Sequence, residues 1–145
     1  MIKVYLLMLI VIILTGCNGI PVRGTFIQPE GKVILENNDY SMTIGDFEWK
    51  ERDFEVSNIS TSDKYELAGE FTTLEGSGDG KLEIEIDQNP TSIDANQWNT
   101  DFTSTTIEVK GNKITLPSEK GYYIYEVIVE WPQGKATYIF DIDIL

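Results

Sequence analysis

Apolar and polar residues alternate over short stretches along most of this chain, and the longest such stretch lies at its C-terminal end. Tyr123, Tyr125, Val127, Val129 and Trp131 share one parity of a strand over 122–131. Pro132-Gln133-Gly134 reads as a turn, and Ala136, Tyr138, Phe140, Ile142 and Ile144 share one parity of a second strand over 135–144. Side chains in a strand point to alternate faces, so this pattern predicts a long hairpin with one apolar face. Such a hairpin is not stable alone in water, and the upstream chain must cover it.

Upstream, strands are expected over 32–36 and 40–44 around an Asn37-Asn38 turn, and around Phe47 and Trp49 and then Phe54 and Val56. The parity of the apolar face changes over 50–53, which predicts a turn or bulge there. After the polar loop 58–63, Tyr65, Leu67, Gly69 and Phe71 alternate, which predicts a strand over 65–74. Over 81–87 the alternation is strict, with Leu82, Ile84 and Ile86 against Glu83, Glu85 and Asp87, as in a strand between core and water. A strand over 93–98 follows Asn89-Pro90, and Ile107, Val109, Ile114 and Leu116 flank a Lys110-Gly111-Asn112 turn as a further hairpin. No amphipathic helix of useful length is evident. Eight to ten short strands with turn signals every eight to twelve residues predict an all-β, antiparallel, immunoglobulin-like β-sandwich. Tyr123, after Gly121-Tyr122, is placed as the tyrosine corner of such a fold, and Trp49, Trp98 and Trp131 as core or corner residues.

The first residues bear on location. Lys3 precedes an unbroken apolar run of eleven, Val4 to Leu14. That is short of the roughly 20 residues a spanning helix needs and suits a secretory signal. The run closes on Leu14-Thr15-Gly16-Cys17, which resembles the bacterial lipoprotein lipobox and holds the one cysteine in the sequence. The resemblance implies cleavage before Cys17 and diacylglycerol on its thiol. The organisation expected is a signal peptide over 1–16, a lipid-anchored spacer over 17–31 rich in Gly and Pro, and one domain over 32–145. Two acyl chains suffice for stable anchoring, which predicts an extracytoplasmic, membrane-tethered protein. With Cys17 acylated no thiol remains for a disulfide, so the domain depends on its core.

Removing the signal with Lys3 leaves ten basic residues against 24 acidic ones, a net charge of about −14. Such a surface repels nucleic acid and anionic head groups and attracts cations and basic proteins. The partners expected are the membrane, through the lipid on Cys17, and a basic protein, with no nucleic acid and a monomeric state.

Catalytic chemistry has little to build on. The chain has no histidine, which removes the Ser-His-Asp and Cys-His arrangements and His-ligated zinc. No Ser-x-x-Lys nucleophile is present. Among the carboxylates Glu126 and Glu130 have the most apolar neighbours, but alternation turns them to the other face from those neighbours. The glycines over 76–80 do not match a phosphate loop, since Leu82 stands where a Ser or Thr would hold the metal and Asp79 would repel phosphate. Oxygen ligands over 76–80 and 94–101 raise calcium, yet neither loop follows the Asp-x-Asp-x-Asp-Gly pattern. No catalytic residue, metal site or cofactor is expected, and the protein is read as a non-enzyme.

A wider likeness rests on Gly45-Asp46-Phe47-Glu48-Trp49, on 81–98 with its Asn89-Pro90 and Gln97-Trp98, and on Asn112 to Leu116 running into Tyr123-Ile124-Tyr125-Glu126-Val127 and Trp131-x-x-Gly134. These segments resemble a group of Firmicute extracytoplasmic domains over about two thirds of the mature chain. The resemblance implies the sandwich fold and carries no activity. Other members have a cysteine where Glu48 stands, so no chemistry of that cysteine transfers. Two functions fit: a lipid-anchored binding or accessory module, or an inhibitor or immunity lipoprotein that neutralises a basic protein. In the second case Glu83, Glu85, Asp87 and other acids should converge on one patch around an exposed aromatic residue.

Overall fold

A computed structural model describes residues 26–145. The proposed signal peptide, Cys17 and the spacer as far as residue 25 lie outside the described residues. Eleven strands and one short helix are found among the described residues: β1 (Gly31–Leu35), β2 (Asn38–Ser41), β3 (Thr43–Glu51), β4 (Phe54–Asn58), α1 (Lys64–Gly69), β5 (Leu74–Gly76), β6 (Lys81–Ile86), β7 (Ser92–Trp98), β8 (Ser104–Ile107), β9 (Lys113–Thr115), β10 (Gly121–Trp131) and β11 (Gly134–Ile144).

The C-terminal hairpin forms as its alternation requires. β10 and β11 pair over their whole length, from Gly121 opposite Ile144 to Trp131 opposite Gly134. Their inward residues, including Tyr125, Val127, Val129, Tyr138, Phe140 and Ile142, are buried. The rest of the chain builds two sheets around this hairpin. The smaller runs β2-β1-β6-β9; the larger runs β4-β3-β11-β10-β7-β8, with β5 parallel to the end of β11. The chain changes sheets between β2 and β3, β5 and β6, β6 and β7, β8 and β9, and β9 and β10, and the last three crossings, over β6–β11, follow the connectivity of an immunoglobulin-like sandwich. Tyr123 is the corner residue, its hydroxyl donating to the Glu119 carbonyl at 3.0 Å. Hairpins β1–β2 and β3–β4 extend the two sheets at their edges.

Three local expectations are corrected. The segment 65–74 is not one strand, because Asp63 starts α1 with a capping box. Its carboxylate accepts from the amides of Tyr65 and Glu66 while Glu66 reaches back to the Asp63 amide. Such a cap contributes about 1 kcal/mol, and the helix adds burial of Leu67 and Ala68 against Ile124 and Ile139. Second, β8 and β9 are not a hairpin: Lys110 and Lys113 bridge locally, but β8 joins β7 in the large sheet and β9 joins β6 in the small one. Third, the first turn is Glu36-Asn37, both at positive φ (52° and 65°), one residue earlier than expected. The parity change over 50–53 is the expected turn, Arg52-Asp53, across which Glu51 pairs with Phe54; a separate bulge lies earlier in β3, where Gly45 and Asp46 oppose Thr137 alone.

The domain also begins earlier than residue 32. Phe26 lies 5.3 Å from Phe54 and 5.9 Å from both Phe47 and Trp49, centroid to centroid. Pro29 is buried, and its carbonyl accepts from the Tyr138 hydroxyl at 2.8 Å. Residues 26–31, counted with the spacer above, are therefore part of the sandwich.

Burial raises the ionisation of the Tyr125 and Tyr138 hydroxyls far above its ordinary value near 10. Both rings are 1% exposed or less. The unfolded chain then loses these protons at lower pH than the folded one, so their contribution to stability is complete below about pH 10 and falls as pH rises beyond it. For the two tyrosines the expected slope is about −2.7 kcal/mol per pH unit once the unfolded chain has ionised. Denaturant unfolding at pH 9, 10 and 11 checks this; a stability that stays level across that range contradicts it.

Candidate functional site

Sheet register fixes which charges meet on the outer surfaces. On the small sheet the outward charged residues are Lys32, Asp39, Lys81, Glu83, Glu85 and Lys113, three of each sign. Glu83 faces Lys113 at 4.0 Å, and Lys32 lies opposite Glu85 and 3.5 Å from Asp39. Glu30, Asp39 and Glu85 together raise the ionisation of the Lys32 ammonium. Asp87 lies beyond the strand, where its carboxylate accepts from the Glu30 amide at 3.0 Å and its carbonyl from Trp131 Nε1 at 3.0 Å. The three acids singled out from sequence therefore form no acidic patch: two are matched by lysines and the third ties down the incoming chain.

The outer face of the large sheet differs. Helix α1 covers the half carrying Ile124 and Ile139, with Tyr65, Trp98 and Tyr122 around it. The half nearer the β10–β11 turn is open. There Glu126 and Glu130 flank Ile128 on β10, Asp94 lies directly opposite Ile128 on β7, and Asp46 and Glu48 project from β3. Lys135 stands among these five carboxylates, 3.2 Å from Glu48, and Lys64 of α1 borders them where it lines a cleft with Asp46 and Glu126. At the β4 edge, Lys50 and Glu55 balance each other at 3.9 Å.

The bulge builds this half-face. Adding a residue opposite Thr137 turns Asp46 outward, with its amide on the Thr137 hydroxyl at 2.9 Å. The Asp46 carboxylate accepts from the Ser60 amide at 2.9 Å, which ties the following loop down beside the sheet. Ile59, one residue earlier, is left 58% exposed. Between Ile59 and half-buried Ile128 lies a mostly apolar cleft of about 210 Å³, walled also by Asp46, Glu48, Lys135 and Thr137. Glu48 and Lys135 continue into a wider groove of about 560 Å³ along Glu130, Gln133 and Glu55.

The aromatic expectation holds for Trp49 and Trp131, which are buried in the core and 5.5 Å apart, and in part for Trp98, which packs at the edge of the smaller cluster of Leu67, Ala68, Ile124 and Ile139. That ring is half-exposed, with the Lys64 ammonium 4.0 Å over it and its Nε1 donating to Glu126 at 3.1 Å. Phe102 is 71% exposed at positive φ (67°), 4.8 Å from Tyr65. Asp94 and Asp101 cannot share an ion. Asp94 lies four strand residues, roughly 13 Å, before the end of β7, Asp101 sits in the turn beyond it, and Asp101 is engaged by the Thr103 hydroxyl and amide, which lower its ionisation. No group of three His, Cys, Asp or Glu side chains gathers to hold a metal ion among the described residues.

Asp141 was not singled out from sequence. It is 2% exposed on the covered half, and one carboxylate oxygen accepts from Tyr122 at 2.6 Å and Thr73 at 3.0 Å. The other has no partner. Burial, and then this carboxylate, raise the ionisation of the Tyr122 hydroxyl.

No family model, curated protein or solved structure matches this chain.

Proposed function

We propose that this protein is a lipid-anchored extracytoplasmic binding module, held in the membrane by acyl chains on Cys17 and working through the open half of its large sheet. The observation that carries the reading is the contrast between its two faces. The small sheet is charge-balanced, whereas the open half of the large sheet gathers five carboxylates against two lysines, Lys64 and Lys135, about an uncovered aliphatic cleft. A charge that served only for solubility has no reason to sort itself this way. The eight residues 18–25 between Cys17 and Phe26 reach at most about 30 Å when fully extended. Phe26 packs at the same end of the sandwich as the β10–β11 turn, so an acylated Cys17 would hold the acidic half-face toward the membrane.

The same contrast favours a second reading, an inhibitor or immunity lipoprotein that neutralises a basic protein, since complementary fields speed encounter and reject like-charged partners. The two readings differ in whether the captured protein loses an activity on binding.

Anchoring is tested by growing the host with a labelled fatty acid. The wild-type chain is expected to carry label, and Cys17→Ala none. Label on both chains, or on neither, contradicts the anchor.

A further inference from the structure

We infer that the Ile59–Ile128 cleft takes an aliphatic side chain from an extended basic segment of a partner protein, with lysines or arginines on either side of that residue. The inference rests on the binding-module reading and names the chemistry of its partner. Glu126, Ile128 and Glu130 project from one face of β10 at two-residue spacing, roughly 6.6 Å apart along the strand. An extended segment of the form lysine-x-leucine-x-lysine repeats at the same interval, so it sets a cation opposite each glutamate and the aliphatic group opposite Ile128. Asp94 lies across from Ile128 on one side; Asp46 and Glu48 border the cleft on the other.

The apolar part of the site is built rather than incidental. Helix α1 covers the neighbouring Ile124 and Ile139 but leaves Ile128 open. The loop bearing Ile59 is fixed by the Asp46–Ser60 hydrogen bond and by the Ser62 amide on the Ser60 hydroxyl at 3.2 Å. One exposed and one half-buried aliphatic side chain are thereby held at the mouth of a cleft with a carboxylate rim. Nucleic acid and anionic lipid are repelled by that rim, whereas a basic polypeptide satisfies both the charge and the apolar wall.

The test uses the full chain in a nonionic detergent and two labelled peptides. One alternates lysine with serine around a central leucine; the other has serine in place of the leucine. At physiological salt the leucine peptide is expected to bind about tenfold more tightly than its analogue, the return on burying one aliphatic side chain. Ile128→Ser should remove that difference, and Glu130→Gln with Asp94→Asn should weaken both peptides. Glu83→Gln with Glu85→Gln on the small sheet should change neither, and unaltered circular dichroism shows that each variant is folded. Equal binding of the two peptides, equal effects of the small-sheet variant, or no binding of either peptide overturns the inference. A host protein whose capture survives Ile128→Ser overturns this site alone and leaves the binding-module reading intact.

Discussion

Gly134→Ala is expected to destabilise the domain by about 3 kcal/mol or more, as backbone overpacking at a site that cannot relax. A Cβ at this position would overlap the Glu48 carbonyl oxygen and lie 2.9 Å from both the Glu48 carbonyl carbon and Trp49 Cα. All three atoms belong to the backbone of β3, which is held on both sides, by β11 and by β4. No side chain is available to move aside. Gly134 also follows the two-residue Pro132-Gln133 turn, so displacing it shifts the register on which the long hairpin depends. Urea unfolding measures the effect, and a loss below about 1 kcal/mol would show that β3 and β11 part more easily than their pairing implies. Because Glu48 and Lys135 line the cleft on either side of this contact, residual folded Gly134→Ala should also bind its partner less well.

Tyr125→Ala is expected to cost about 3–5 kcal/mol, the range for removing a large aromatic ring from a core. Tyr125 is fully buried and stacks on Phe140 at a centroid distance of 4.9 Å with the planes 7° apart. Its hydroxyl donates to Gln97 Oε1 at 3.0 Å, joining β10 to β7 at the middle of the sheet. Tyr125→Phe keeps the ring and removes only that bond, for an expected cost of about 1 kcal/mol. The two variants separate packing from hydrogen bonding, and equal losses would mean that the Gln97 contact, not the stacked rings, holds this part of the core.

Much of the fold is legible in the sequence wherever one strand face is buried and the other wet. The hairpin over 121–144, the strand over 81–86 and the corner at Tyr123 follow from alternation and from one glycine-tyrosine signal. Helix α1 was obscured because Tyr65, Leu67, Gly69 and Phe71 alternate as a strand would over so short a span. The decisive signal was the Asp63 and Glu66 capping pair, which hydrophobic periodicity does not register. The Lys110–Lys113 turn looks like a hairpin because its local bonds are those of one, while β8 has already folded back on β7 and β9 pairs with β6, from much earlier in the chain.

The candidate site was less legible for the same physical reason. Glu83, Glu85 and Asp87 stand out in a strict alternation, yet Lys32 and Lys113 reach them only through sheet register. The carboxylates that do gather, Asp46, Glu48, Asp94, Glu126 and Glu130, come from three strands far apart in the chain, and a bulge that the alternation does not signal turns Asp46 outward. Ile59 lies in a stretch that sequence marks as polar loop, and its place beside Ile128 depends on hydrogen bonds from the Ser60 amide to Asp46 and from the Ser62 amide to Ser60.

The most direct measurement is capture of host envelope proteins by the full chain in nonionic detergent, at physiological salt, compared with a variant carrying Asp94→Asn, Glu126→Gln and Glu130→Gln. The account predicts that the wild-type chain retains a basic protein and that the variant, folded to the same degree, releases it. Capture confined to low salt, or capture that the three neutral substitutions leave unchanged, would contradict a binding role for this face.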